Sequence, residues 1–191
     1  MIRKFFGQVR VVGAEFPRID LPVIAYMNHS AWWDAVIPVH LSHDLFRREI
    51  HALMEGEQIG KYPFFRHLGC FGPTSSGIAE ARAIANYAAR VLRSGNRPVL
   101  WICPQGALFP ARVPMNFKSG LARIAAAVPD AVIIPMAFRY EFHNEKKPDC
   151  WVRTGEPVVR REESSSQFTR RLELHLEQEL ELLDAEILSA R

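Results

Sequence analysis

Two side chains suited to acid–base chemistry lie five residues apart in the stretch NHSAWWD, residues 28–34. His29 supplies an imidazole and Asp34 a carboxylate, and the apolar run before them predicts a strand that ends just ahead of His29. A carboxylate on one ring nitrogen fixes the tautomer and leaves the other nitrogen as a general base toward a substrate hydroxyl. The alternative is structural, since His29 can begin a helix and Asp34 can complement the helix dipole.

The apolar pattern predicts elements that bring His29 to a ligand-binding edge. Short apolar runs predict strands at 8–13, 21–27, 49–54, 98–103, 131–138 and 150–155. Helical patterns lie between and after them, at 31–42, 56–67, 77–94, 118–127 and 165–189. This alternation is typical of a layered α/β domain. Ligand crevices in such sheets form at the carboxyl ends of strands, which is where His29 falls.

Length and composition indicate one globular domain over residues 1–191. The chain is 48% hydrophobic and 24% charged, and none of its apolar runs reaches the about eighteen residues that span a bilayer. The start, MIRKFFGQVR, lacks the apolar core of a signal sequence. The three cysteines are scattered, which predicts a reduced, intracellular chain without a finger-type zinc site. His40 and His43 have metal-ligand spacing but no third ligand in sight, so we expect no metal.

The charge pattern restricts the partners. The net charge is +3, but residues 161–191 are acidic, which leaves the remaining chain mildly basic. Such a body suits an anionic membrane surface or coenzyme A and is too weakly basic for nucleic acid. Near the start, Ile2, Phe5 and Phe6 are interleaved with basic residues. That segment either lies on a membrane surface or is a frayed terminus.

Several blocks, taken in order, resemble the glycerolipid acyltransferase superfamily, which includes the lysophospholipid and 1-acylglycerol-3-phosphate O-acyltransferases. NHSAWWD resembles its NHx4D block, GKYPFFRHLGCFGP (60–73) its second block, LWICPQGALF (100–109) with FKSGLARIA its third, and VIIPMAF its fourth. VRTGEPV (152–158) resembles the closing strand and turn, so the likeness covers about 9–158. It implies a single α/β domain with a mixed, mainly parallel sheet flanked by helices. A long C-terminal helix is expected at 165–189.

The resemblance also implies an activity. An acyl group moves from acyl-CoA or an acyl-carrier protein, which are co-substrates and not cofactors, to a lipid hydroxyl at the inner face of the cell membrane. His29 is then the general base and Asp34 its orienting partner. No covalent acyl-enzyme is expected, which agrees with the lack of a GxSxG elbow. The predicted substrate-binding residues are Asn28, Trp32, Thr74, Ser75, Pro104, Gln105 and Gly106.

Departures from the family pattern bear on the acceptor. Gln105, Ala107 and Leu108 stand where the family has Glu, Thr and Arg, and the second-block Arg falls at Thr74 or Ser75. The resemblance implies that both arginines hold an acceptor phosphate through charge-assisted bonds that Thr and Leu cannot make. We therefore expect an acceptor without that phosphate, such as a glycolipid, a carotenoid glycoside or another lysolipid. Gln105 can bond a hydroxyl of that acceptor or a loop backbone.

Other interpretations stay open at this point. A cation from another position can restore a lysophosphatidic acid acceptor, the candidates being Lys61, Arg66, Arg112 and Lys118. The chain can also be a non-catalytic lipid-binding relative, or a thioesterase that uses the same residues on water. The aromatic side chains have two possible roles, in the core or along an acyl tunnel or membrane-facing patch. These are Trp32, Trp33, Phe64, Phe65 and Phe71, with core packing favoured for Trp33 and Phe71.

Overall fold

Seven strands form one mixed sheet in the computed structural model, which describes residues 2–75, 77–111, 113–142 and 145–190. The strands are β1 Val9–Gly13, β2 Val23–Met27, β3 Glu49–Leu53, β4 Cys70–Phe71, β5 Pro98–Ile102, β6 Val132–Glu141 and β7 Asp149–Thr154. Their order is β1-β7-β6-β2-β5-β3-β4. Every neighbouring pair is parallel except β6 and β7. The predicted mixed, mainly parallel sheet is confirmed.

Helices cover both faces of this sheet. They are α1 Ile37–His40, α2 Gly56–Lys61, α3 Phe64–His67, α4 Ile78–Ser94, α5 Gly120–Ala127 and α6 Ser165–Ser189, with 3-10 turns at Ile2–Lys4 and Trp32–Ala35 and a π-helical segment at Leu41–Phe46. The long C-terminal helix is therefore confirmed at its predicted bounds. It starts at a capping box, in which the Ser164 hydroxyl accepts from the Gln167 N–H and the Gln167 side chain accepts from the Ser164 N–H.

The central strand β2 is buried on both faces, as its unbroken apolar run predicts. Ile24 and Tyr26 pack into one core with α4, α5 and α6, whereas Ala25 and Met27 pack into the other with the N-terminal residues and the helical segment 32–46. The apolar stripe of α6, from Phe168 to Ile187, lies inside the first core. It therefore packs across the domain and not against a separate helical partner.

Two predicted helices are interrupted. Residues 31–42 were expected as one helix, but the chain forms a 3-10 turn, the short α1 around Pro38, and a π-helical segment that continues to Phe46. Residues 56–67 divide into α2 and α3 at Pro63. A proline has no N–H to donate and disfavours helical backbone at the residue before it, and Tyr62 accordingly leaves the helix at φ −128° and ψ 77°.

The strand predictions differ most from the structure at two places. The two-residue β4 was not predicted from apolar periodicity, because a pair of residues cannot show it. Strand β6 continues three residues past its predicted end at 138, to Glu141. At the N-terminus, Ile2 and Phe6 are buried in the core, so the segment from Ile2 onward is packed and not frayed, and Phe5 is exposed.

Candidate active site

His29 and Asp34 are in direct contact. His29 lies two residues beyond the end of β2, and the 3-10 turn Trp32–Ala35 brings Asp34 back to it. Imidazole Nδ1 and carboxylate Oδ2 are 2.9 Å apart. The same Oδ2 accepts from the backbone N–H groups of Ser30 at 2.7 Å and Ala31 at 2.8 Å. The carboxylate therefore folds the 29–34 loop around itself and binds the ring at the same time.

The second carboxylate oxygen has a different partner, which the sequence did not reveal. The Tyr140 hydroxyl donates to Asp34 Oδ1 at 2.6 Å. Burial, and then the Asp34 charge, raises the pKa of Tyr140 well above its ordinary value, so the phenol keeps its proton. Burial and the same charge raise the pKa of the nearby Cys103 and Cys150 thiols, which stay neutral. Asp34 is thus surrounded by donors and uncharged groups.

The backbone of His29 is held on both sides by the segment after β5. The His29 N–H donates to Gln105 Oε1 at 2.9 Å, and the His29 carbonyl accepts from the Phe109 N–H at 2.9 Å. Of the two roles left open for Gln105, the structure thus shows the bond to a loop backbone. The His29 side chain remains 27% exposed, and no described residue hydrogen-bonds its Nε2. That nitrogen is the one left for a ligand.

Asn28 connects the end of β2 to the neighbouring β6. Its amide nitrogen donates to the Phe138 carbonyl at 3.1 Å, and its amide oxygen accepts from the Phe138 N–H at 2.8 Å. Both hydrogen-bonding groups of the buried Asn28 side chain are therefore used within the protein. The contact fixes His29 relative to β6.

An apolar cavity of about 500 Å³ opens at His29, along the carboxyl ends of β2, β3 and β5. Its walls are mainly apolar and carry few charges, and they include Met27, Trp32, Val39, Ala52, Leu53, Phe65, Trp101, Cys103 and Leu108. Of the aromatic residues considered for a tunnel, Trp32 and Phe65 line this cavity. Phe64, Phe71 and Trp33 do not, and Trp33 packs against Phe5 and Phe6 at centroid distances of 4.9 Å. Ligand crevices of α/β sheets form at this edge.

The segment between β5 and α5 supplies one wall of this cavity through Pro104, Gly106 and the more distant Lys118, whose charge makes this wall polar. The Lys118 N–H donates to the Pro104 carbonyl at 2.8 Å. Gly106 has φ +69°, and the Lys118 side chain occupies the space that a Cβ there would need. Lys118 is the one lysine or arginine among the described residues that line the cavity.

Other predicted residues lie away from the cavity. Thr74 and Ser75 do not line it, although their neighbour Pro73 does, and both the N–H and the hydroxyl of Thr74 donate to Glu80. Lys61 and Arg66 are exposed outside it. Arg112 lies outside the described residues.

A second cavity of about 360 Å³ meets the first at His29, and its walls include Asn28 and Gln105. Helix α6 lines it with Glu177, Glu181 and Asp184. The one lysine or arginine among the described residues that line it is Arg139, which binds Asp184 through two hydrogen bonds of 2.7 and 2.9 Å. Among these described residues, carboxylates outnumber the cationic side chains of lysine and arginine.

Neither a metal-binding cluster nor a membrane-spanning helix is present among the described residues. Within the described ranges, no three His, Cys, Asp or Glu side chains are grouped so that they can hold a metal ion, and His40 and His43 both bind Asp44 instead. Across the same ranges, the structure contains no helix whose length and apolar character would let it span a bilayer.

The chain matches a known protein family. The family model described as Acyltransferase matches residues 8–139, which is more than half of the chain. The matched segment includes His29, Asp34 and the turn after β5, and it ends one residue before Tyr140. No curated protein matches the chain.

Proposed function

We propose, starting from the fact that this chain belongs to the acyltransferase family, that it moves a fatty acyl group from acyl-CoA or an acyl-carrier protein to a lipid hydroxyl. One observation carries the proposal. The His29 ring is held through Nδ1 by a buried carboxylate and has Nε2 free beside a large apolar cavity. A poised base next to a lipid-sized space suits acyl transfer to an alcohol.

The chemistry follows from this geometry. Nε2 takes the proton of the acceptor hydroxyl as its oxygen attacks the thioester carbonyl carbon, and Asp34 stabilises the imidazolium that forms. The carbon–sulfur bond then breaks, and the departing thiolate takes the proton back from the imidazolium. An ester and a free thiol result, with no covalent enzyme intermediate. Positioned general-base catalysis supplies ~10²–10⁴ in rate.

The apolar cavity is proposed to hold the acyl chain. Its walls along β3 and β5 include Ile50, Ala52, Leu53 and Trp101, so they offer a fatty chain apolar surface on several sides. Polar groups such as glycerol or a sugar would gain little binding free energy from these apolar walls.

The acceptor is proposed to lack a glycerol phosphate, as in a glycolipid, a carotenoid glycoside or another neutral lysolipid. Leu108 lines the cavity where the family places an arginine. The described residues that line the second cavity beside His29 are rich in carboxylates, which suit hydroxyl groups and disfavour a phosphate through like-charge repulsion.

One observation favours a second candidate, a lysophosphatidic acid acyltransferase. Lys118 lies in the wall of the apolar cavity and, as a cation, can bind a phosphate. Coenzyme A and the phosphopantetheine arm of a carrier protein also bear phosphate, so the same lysine equally suits the donor of the first proposal.

We further propose that the protein works as a peripheral protein at the cytoplasmic face of the cell membrane. The support is local, since Trp32 lines the cavity while 53% of its surface is exposed, and Phe5 is exposed nearby against Trp33. Exposed aromatic side chains of this kind favour the interface of a bilayer.

The test is an incubation of the protein with radiolabelled acyl-CoA, with and without a lipid extract. Acceptor-dependent transfer of label into a neutral lipid supports the proposal. Release of free fatty acid alone indicates a thioesterase, and an unchanged thioester indicates a lipid-binding relative. His29→Ala should abolish transfer while the circular dichroism and melting temperature stay those of the native protein. The exposed His43→Ala serves as the matched control, and full turnover in His29→Ala would refute the mechanism.

A further inference from the structure

We propose that Tyr140 is a positioning residue of this site, whose hydroxyl holds the Asp34 carboxylate in the orientation that binds His29. The inference rests on the proposed function for its catalytic meaning, although its structural part can be tested without activity. Tyr140 lies just beyond the segment that matches the family, on the part of β6 that apolar periodicity did not predict.

The two oxygens of Asp34 have separate sets of donors. Oδ2 accepts from the His29 ring and from the N–H groups of Ser30 and Ala31, whereas Oδ1 accepts from Tyr140 at 2.6 Å. No other described residue donates to Oδ1. The Asp34 side chain is fully buried, so removal of the phenol hydroxyl leaves a carboxylate oxygen without a partner. The carboxylate is then expected to rotate away from the imidazole, toward another hydrogen-bond donor.

The backbone around Tyr140 is fixed to the same strand end as His29. Phe138, two residues before Tyr140 on β6, is bound on both its N–H and its carbonyl by the Asn28 amide. Tyr140 also pairs with Cys150 on β7, and its ring lies 5.9 Å from that of Phe6. The donor and the acceptor of the Tyr140–Asp34 bond are thus held in one rigid frame, which is what a positioning contact requires.

The charges near Asp34 define what the bond does. The titratable groups around it are His29 on the loop, Cys103 after β5, Cys150 on β7 and Tyr140 itself. The thiols and the phenol keep their protons, so the negative charge of Asp34 is shared between the imidazole and the Tyr140 hydroxyl. Without that hydroxyl the carboxylate can rotate, and its hydrogen bond to the imidazole Nδ1 weakens.

The experiment compares Tyr140→Phe with Tyr26→Phe. Tyr26 is a matched control because it is a buried tyrosine on β2 whose hydroxyl has no hydrogen-bond partner among the described residues. For Tyr140→Phe we expect kcat to fall on the order of tenfold, since a bond to a charged group is lost. The Michaelis constant of the acyl donor should stay within about twofold. Tyr26→Phe should change neither kcat nor this Michaelis constant.

A second readout separates this inference from the proposed function. The proton on His29 Nδ1, assigned with a His29→Gln variant, is observed by NMR in native protein, Tyr140→Phe and Tyr26→Phe. An upfield shift or loss of this resonance in Tyr140→Phe alone indicates a weaker bond to Asp34 and supports the positioning role even if the native protein transfers no acyl group. An unchanged resonance and an unchanged kcat in a folded Tyr140→Phe protein would overturn it.

Discussion

The Gln105 side chain accepts a hydrogen bond from the backbone N–H of His29 at 2.9 Å, and this bond joins the third sequence block to the first. Gln105 is buried, so the bond is shielded from water. A glutamate, the usual family residue, offers the same kind of acceptor oxygen, so the substitution removes a charge without removing the contact. The departure at this position therefore still leaves an acceptor for the His29 N–H.

Gln105 substitutions should separate the contact from the charge. Gln105→Met leaves the His29 N–H unpaired, which we expect to lower the free energy of unfolding by about 1–3 kcal/mol. We also expect kcat to fall, because the loop that carries His29 loses this contact. Gln105→Glu keeps an acceptor and should retain more activity than Gln105→Met. Urea denaturation and steady-state kinetics measure both effects. Equal loss in the two variants would mean that the oxygen does not hold the loop.

Asp34 combines loop capping with binding of the imidazole, and two substitutions resolve the two roles. Asp34→Ala leaves the N–H groups of Ser30 and Ala31 without their acceptor, for an expected loss of about 1–2 kcal/mol in stability. Asp34→Asn keeps an oxygen for those donors but no charge for the imidazolium.

For Asp34→Asn we therefore expect near-native melting with a fall in kcat of about 10²-fold or more. Thermal melts and initial rates measured on both variants test this. Asp44→Asn is the control, because Asp44 also binds histidine rings but is exposed and outside both cavities. Native kcat in Asp34→Asn would show that the charge is not used.

The sequence predicted most of the fold because its signals there are local. The apolar run of β2 fills a whole strand, and the stripe of six apolar residues on α6 extends over several helical turns. Both elements were found in place. The His29–Asp34 contact was also predictable, since a five-residue spacing across one turn limits where Asp34 can lie. Tyr140 was not, because 106 residues separate it from Asp34 and only the pairing of β6 beside β2 brings it close.

The failures have physical causes of the same kind. The helix breaks at Pro38 and Pro63 depend on whether a proline begins a helix or interrupts one, which apolar spacing does not report. The position of Thr74 follows from the course of the loop after the two-residue β4, and there its side chain is bound by Glu80. Gln105 had two plausible partners of equal chemistry, and only the fold decided between them.

The two thiols that line the apolar cavity, Cys70 and Cys103, should react slowly with alkylating reagents. Burial raises the pKa of Cys70 to about 11, and burial with the Asp34 charge raises that of Cys103 further. A thiol stays protonated at pH values below its pKa. At pH 8 only about a thousandth of Cys70 is therefore thiolate.

We therefore expect iodoacetamide to inactivate the enzyme slowly at pH 8 and faster as the pH rises toward 11, with free glutathione as the reference for thiol reactivity. The double variant Cys70→Ala, Cys103→Ala should keep transfer within a few fold of native. Rapid alkylation at pH 7, or loss of all transfer in the double variant, would favour an acyl-cysteine and contradict direct attack.

Lys118 provides the test that assigns the phosphate-binding cation to one substrate. Its side chain lies over Gly106 at the polar wall of the cavity, and Lys118→Met keeps the aliphatic length while removing the charge. If the acceptor is neutral, the lysine serves the phosphates of the donor. The Michaelis constant of acyl-CoA should then rise about tenfold, equivalent to about 1.4 kcal/mol, while that of a glycolipid acceptor stays unchanged. Lys61→Met should alter neither constant, because Lys61 is exposed and stacks on Tyr62 without itself lining the cavity. A rise confined to lysophosphatidic acid would instead assign the cation to a phosphorylated acceptor, and the neutral-acceptor proposal would fail.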